Sequence, residues 1–153
     1  MVLGVISDTH GLLRAEALAA LAGCKFILHA GDIGAPEILD QLRTIAPVFA
    51  VRGNIDTAPW AMSLPETVAV TAGPASIYML HDLHALDLDP AARFDMVVSG
   101  HSHKPSQVER GGVLYLNPGS AGPRRFLLPV SLALVDLAER PWKIEFVRLF
   151  ETR

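Results

Sequence analysis

Cysteine is nearly absent from this 153-residue chain, where Cys24 stands alone. A single cysteine excludes an internal disulfide framework and any cysteine-rich zinc site, and a reducing, cytoplasmic setting is expected. A surplus of positive charge is missing too. Thirteen Lys and Arg face sixteen Asp and Glu, for a net charge of −3. No basic excess therefore advertises a nucleic-acid or anionic-membrane partner. No apolar run approaches the roughly 18 residues of a membrane span. The opening Met1-Val2-Leu3-Gly4-Val5-Ile6 lacks a charged segment and a small-residue cleavage site, so it reads as a first strand and not as a signal peptide. Linkers, repeats, low-complexity stretches and charge blocks are also missing, which predicts one domain over residues 1–153. What remains is a globular composition, 50% hydrophobic and 19% charged, with six histidines whose positions are informative.

The first half alternates strand and helix. Residues 2–7, 25–30 and 47–52 are short apolar runs, as in strands covered on both faces. Between them, Leu13, Ala17, Leu18 and Leu21 share one helical face over 12–22, and Ile38, Leu39, Leu42 and Ile45 share another over 36–46. This βαβαβ order predicts a parallel sheet. The second half reads as mainly β and partly antiparallel. Strands are expected over 66–72, 76–80, 95–99, 106–110, 113–116, 130–137 and 143–150, with turns at Gly73-Pro74 and Gly111-Gly112. A short helix is predicted from Asp89 to Phe94, with Asp89 as its cap and Pro90 following.

Five of these strands run into polar residues of one kind. Residues 2–7 lead to Asp8-Thr9-His10, 26–30 to Gly31-Asp32, 49–52 to Gly53-Asn54, 77–80 to His81-Asp82, and 96–99 to Gly100-His101-Ser102-His103. Ligands bind outside the carboxyl ends of strands in open α/β sheets, so the set describes a single pocket rich in oxygen and nitrogen donors. Each fragment alone is ordinary turn chemistry; the ordered set is what points to a site. Asp, Asn and neutral His without Cys suit borderline or harder divalent ions such as Mn²⁺, Fe²⁺, Zn²⁺ or Ni²⁺. Seven donor residues are too many for one four-coordinate ion but suit two ions sharing a carboxylate, a common device for phosphoester hydrolysis. Two such ions outweigh Asp8, Asp32 and a bridging hydroxide, so the site would attract an anionic phosphate. His29 lies inside an apolar strand and reads as a hydrogen-bonded core residue, and His84 as a surface one.

The set Asp8-Thr9-His10, Gly31-Asp32, Gly53-Asn54, His81 and Gly100-His101-Ser102-His103, followed by Asn117-Pro118-Gly119-Ser120, resembles the calcineurin-like metallophosphoesterase superfamily. It looks most like the small single-domain bacterial and archaeal phosphodiesterase branch, and the resemblance runs from Val2 to about Leu149. It implies a four-layer α/β/β/α sandwich with two facing mixed β-sheets. It further implies that Asp8, His10, Asp32 and His103 hold a first metal, that Asp32 bridges, and that Asn54, His81 and His101 complete a second. Two divalent ions are expected as cofactors, with Mn²⁺ favoured by the resemblance.

One position departs from the family pattern. Many members carry His directly after Gly-Asn, where it acts on the leaving group; here Ile55 stands there, followed by Asp56. Asp56 is a candidate for assisting proton transfer or for stabilising the turn. The missing group predicts modest turnover, better with good leaving groups, since positioned acid–base groups are typically worth about 10²–10⁴-fold. The expected function is a metal-dependent phosphodiesterase, a hydrolase of phosphate esters acting through a two-metal-activated hydroxide. Asn54 and His101 are candidates for orienting the phosphate, and Arg124 and Arg125 for binding a further phosphate oxygen. The competing reading is a protein-binding scaffold similar to the retromer subunit of this fold. Ile55, the Phe126-Leu127-Leu128 loop, and Trp60 with Met62 are candidates for such an interface, and equally for the core, a contact between copies of the chain or a substrate cleft.

Overall fold

The computed structural model describes residues 1–125 and 127–150, Phe150 by its backbone alone. Among the described residues, ten strands form two five-stranded sheets. The first sheet joins β1 (Val2–Ile6), β2 (Phe26–His29) and β3 (Val48–Ala50) in parallel, with α1 (Ala15–Leu21) and α2 (Pro36–Arg43) as crossovers. The second contains β4 (Thr67–Ala72), β5 (Ala75–Leu80), β6 (Met96–Val98), β7 (Ser106–Arg110) and β8 (Val113–Asn117) in the order β4-β5-β6-β8-β7. Strands β9 (Val130–Asp136) and β10 (Lys143–Phe150) return to the first sheet, where β9 pairs antiparallel with β1. Both sheets are therefore mixed, as expected.

Side-chain alternation explains how the layers stack. On β5, Ala75, Ile77 and Met79 face the first sheet, while Tyr78 and Leu80 face outward. On β1, Leu3 and Val5 face the second sheet, and Ile6 faces the helices. The period of two along a strand produces this division. Each fully buried Leu or Met in the central layer contributes roughly 1.5–3 kcal/mol of transfer free energy. Gly4 lets α1 approach β1, since a Cβ there would run into the Leu21 side chain. The outer face of the second sheet carries a thinner cover than two α-helices. Short 3₁₀ turns at Leu83–Ala85 and Pro90–Ala92 lie over this side of the molecule, and Leu83, Leu86 and Leu88 pack with Tyr78, Leu80 and Phe94.

Some elements differ from the sequence-based expectation. The helix expected over 12–22 begins only at Ala15, because the chain from Thr9 to Leu12 is a turn closed by Leu12 N–H donating to Thr9 C=O. The helix expected at 89–94 is one 3₁₀ turn, and Asp89 caps it through Ala91 N–H as anticipated. Gly73-Pro74 and Gly111-Gly112 do close hairpins. Both glycines of the second turn have positive φ, 55° and 80°, the geometry of a type I′ turn. Trp60 packs into the helix-side core, whereas Leu127 is 89% exposed; Phe126, between Arg125 and Leu127, lies outside the described residues.

Candidate metal centre

The carboxyl ends of β1, β2, β3, β5 and β6 meet at one rim of the sandwich. Backbone bonds lace their loops together. Asp8 N–H donates to Gly31 C=O at 2.9 Å, His10 N–H to Asp32 C=O at 2.9 Å, and Gly100 N–H to His81 C=O at 2.9 Å. All seven predicted ligand residues converge there. His81 Nε2 is 3.3 Å from Asp32 Oδ2 and 3.8 Å from Asp8 Oδ1. His10 Nε2 is 3.6 Å from Asp32 Oδ2, and His103 Nε2 is 3.4 Å from Asp8 Oδ1. The end of the Asn54 carboxamide lies 3.0 Å from His81 Nε2 and 3.2 Å from His101 Nδ1. The donors divide into two groups, Asp8 with His10 and His103, and Asp32 with His81 and His101. Asp32 Oδ2 faces a histidine of each group, the place a shared carboxylate requires.

Each carboxylate is held by one oxygen and offers the other. Asp8 Oδ2 accepts from Ser7 Oγ at 2.7 Å and from His101 N–H at 3.1 Å. Its Oδ1 is buried without a hydrogen-bond partner and faces imidazoles. Asp32 Oδ1 accepts from Ile55 N–H at 3.1 Å, leaving Oδ2 toward His10 and His81. Ile55 thus contributes its backbone at the position where its side chain has nothing to offer. His81 Nδ1 lies 2.7 Å from Ala30 C=O. Donating there fixes the tautomer and leaves the Nε2 lone pair in the cluster, the usual outer support of a metal-binding histidine.

The backbone is distorted where these side chains leave it. Asp8, His10, Asp32, His101 and His103 all have positive φ, between 47° and 71°. Among the described residues they are the only non-glycine positions that do. Such conformations cost of order 1–3 kcal/mol each and cluster at functional sites. Glycine serves the approach of the loops: a Cβ on Gly100 would lie 2.6 Å from Asp8 Oδ2.

Charge follows from this packing. Burial pushes the Asp8 and Asp32 carboxyls up, but His103 and the Ser7 hydroxyl beside Asp8, and His81 and Ile55 N–H beside Asp32, outweigh it and hold both below the ordinary range. Burial lowers His10 more than the two carboxylates raise it. His81 goes the other way: burial opposes its charge, yet Asp32, Ala30 C=O and Asp8 raise it.

The donor set fits two divalent ions. Asp8 Oδ1 and His10 Nε2 are buried polar atoms without hydrogen-bond partners. A carbonyl oxygen at the inward end of Asn54 would face only acceptors unless a cation stood among them. The ligand types exclude a soft thiolate site and match Mn²⁺, Fe²⁺, Zn²⁺ or Ni²⁺.

Other candidates fall differently. Asp56 is 3% exposed and accepts from Ile33, Gly34 and Gly53 N–H at 2.9–3.1 Å. Its carboxylate is engaged in tying the β2 and β3 loops together, which favours the turn-stabilising role over proton transfer. Arg124 and Arg125 are exposed, and Arg125 lies close enough for its charge to depress His10. His29 is the expected core histidine: Gly31 N–H donates to Nδ1, Nε2 meets Thr9 Oγ1, and burial lowers its pKa to about 4. His84 is at the surface, paired with Asp82 at 3.1 Å. The sequence reading missed the roles of Ser7, Asn117 and Ser120. Asn117 Nδ2 donates to Gly100 C=O at 2.9 Å, and Ser120 Oγ to Asp8 C=O at 2.9 Å. The Asn117–Ser120 turn was visible, but its contacts span a sequence distance that no local pattern reports.

The calcineurin-like phosphoesterase superfamily domain model matches residues 1–140. The chain belongs to this superfamily. A probable metallophosphoesterase of Methanothermobacter thermautotrophicus is 34% identical over 149 residues, covering 88% of this chain and 85% of the relative. Phosphodiesterase YfcE of Escherichia coli is 29% identical over 166 residues, covering 89% of this chain and 88% of its own length. Among solved structures, Vps29 from Entamoeba histolytica complexed with Zn²⁺ superposes with a TM-score of 0.72 at 27% identity, covering 98% of this chain and all of that one. Members of the superfamily act on phosphate esters and depend on divalent metals. No helix among the described residues is long and apolar enough to cross a membrane.

Proposed function

We propose that residues 1–153 act as one metallophosphoesterase domain that hydrolyses phosphodiesters with two divalent ions, Mn²⁺ first among them. The observation that carries this is the convergence of two donor groups on one rim, each carboxylate anchored by one oxygen and presenting the other. When bound, such ions lower the pKa of a shared water toward neutrality and offset phosphate charge. The chain's own residues do the rest. Asp8, His10 and His103 would hold one ion and Asn54, His81 and His101 the other, with Asp32 placed to serve both. Ser7 and Ile55 N–H fix the carboxylates, and Ala30 C=O fixes the His81 tautomer. Asn54 and His101, on the exposed side of the cluster, orient the phosphate, and Arg125 adds positive charge beside His10. No side chain at Ile55 protonates the leaving group, so esters with good leaving groups turn over best. The relative named as a phosphodiesterase supports the diester class. The single, buried Cys24 supports a reducing, cytoplasmic setting.

The second reading, a scaffold that binds metal but turns over little, is favoured by the similarity to Vps29. Against it stands the completeness of the donor set. The test is hydrolysis of bis(p-nitrophenyl) phosphate and p-nitrophenyl phosphate by chelator-stripped protein with and without Mn²⁺. Metal-dependent cleavage that favours the diester is the expected result. Cleavage of the monoester alone would move the substrate class, and inactivity of metal-loaded protein on both esters would leave the scaffold reading in possession.

A further inference from the structure

A cleft of about 620 Å³ opens beside Asn54, His81 and His101. That volume lies within the roughly 300–1,000 Å³ of small-molecule pockets, far more than one phosphate fills. The cleft shares Asn54 and the two histidines with the donor cluster, so it can receive what the phosphate carries. Polar and apolar side chains share its lining. Tyr78 and Leu80, 9% and 3% exposed, come from the outer face of β5. Met62 and Arg52 form one side, with Arg52 Nη1 3.4 Å from Met62 Sδ.

The charges in the cleft limit its occupant. Arg52 is the one Lys or Arg lining it, and its Nη2 already lies 3.4 Å from Glu66 Oε1. Asp82 and Asp87 add further carboxylates. A second phosphate or a carboxylate would meet this mainly negative lining. The Arg52 side chain is 24% exposed, so its guanidinium N–H groups still face the cleft.

We propose that this cleft binds the second ester substituent of a phosphodiester, and that the substituent is an uncharged, ring-bearing group of nucleoside size. Tyr78 and Leu80 receive its flat face, and Arg52, held by Glu66, donates to an acceptor on its edge. Substrates with additional phosphates beyond the ester, such as nucleoside polyphosphates or long nucleic-acid strands, are disfavoured. The proposal rests on the phosphodiesterase reading above and narrows its substrate.

Two esters with the same leaving group test it: thymidine 5′-(p-nitrophenyl phosphate) and methyl p-nitrophenyl phosphate. In both, water adds to phosphorus, the aryl P–O bond breaks and p-nitrophenolate departs with the electron pair. Only the remaining substituent differs. The Mn²⁺-loaded enzyme is expected to show kcat/KM at least about tenfold higher for the thymidine ester, mainly through KM, as expected of a filled pocket. Ala85→Trp, which narrows the cleft, should collapse that ratio toward one, and Thr67→Trp provides a second blocking variant. Arg52→Met should lower the ratio several-fold. Both esters are read on one sample, so loss of folded protein leaves the ratio unchanged. Equal kcat/KM for the two esters in the unaltered enzyme would overturn the subsite while leaving the phosphodiesterase reading intact. Failure to cleave either ester would overturn that reading, and the subsite with it.

Discussion

Between the two sheets, Leu3, Val5, Ile77 and Met79 expose no surface, and each sits where strand alternation puts it. At the rim, a short way along the same strands, five ordinary L-residues occupy left-handed backbone, and a buried carboxylate oxygen has no hydrogen-bond partner. The interior satisfies strand alternation and packing together. The rim departs from backbone propensity and leaves polar atoms unpaired, and does so with Asp and His. Local and global preferences that agree specify a fold; places where they conflict are where function is held. The contrast teaches that the core supports the strain and the rim spends it on aiming donors at a common point.

Substitutions should separate the two regions. The largest effect is expected from Asp32→Asn at the rim. Its Oδ2 faces both donor groups, so activity on a chromogenic diester should fall by more than about a hundredfold, beyond the roughly 10–100-fold typical of outer-shell partners. A wild-type rate would remove Asp32 as the shared ligand. In the core, Leu3→Ala should cost about 2–5 kcal/mol in urea unfolding while leaving kcat per folded molecule unchanged. A large drop in kcat with unchanged stability would erase the distinction between the regions.

His29 links the two, and its pH behaviour follows from its burial. Its pKa in the fold is about 4 against an ordinary 6.5, so the unfolded chain takes up a proton first. The stability held by neutral His29 is complete above pH 6.5 and is lost as pH falls through 4. At about 1.4 kcal/mol per pKa unit the full loss is roughly 3 kcal/mol. His29→Gln should flatten the dependence of stability on pH across that window; an unchanged slope would assign the dependence to other groups. The smallest effect has the opposite sign. His101→Gly relieves a left-handed residue at φ 71° and should raise stability by about 1 kcal/mol while weakening metal binding. A stability loss in thermal unfolding of the metal-free protein would show that the His101 backbone is not strained.

Much of this was legible in the sequence, for identifiable reasons. The strand ends at Asp8, Asp32, Asn54, His81 and His101 could be read because apolar runs stop abruptly at polar residues. The left-handed turns at Gly111-Gly112 could be read because few other residues take them. His29 was readable because an apolar strand leaves a histidine no solvent. The late start of α1 was not, since Leu12 and Leu13 continue a helical pattern while the Thr9–Leu12 turn keeps them out of the helix. The role of Arg52 was not legible, and that of Asp56 was legible only as one alternative among others. Asp56 works through the backbone of the β2 loop, more than twenty residues away, and Arg52 through a cleft that exists only once β4 and β5 stand beside β3. Periodicity reports burial; it does not report which distant loop a side chain reaches.

The central claim is that seven side chains on one rim form a site for two ions. The direct measurement is the number of Mn²⁺ ions bound per chain by chelator-stripped protein, determined by titration calorimetry and metal analysis beside Asp32→Asn. The account predicts two ions on the unaltered chain and at most one on the variant. One ion or none on the unaltered chain, or two on the variant, would contradict it.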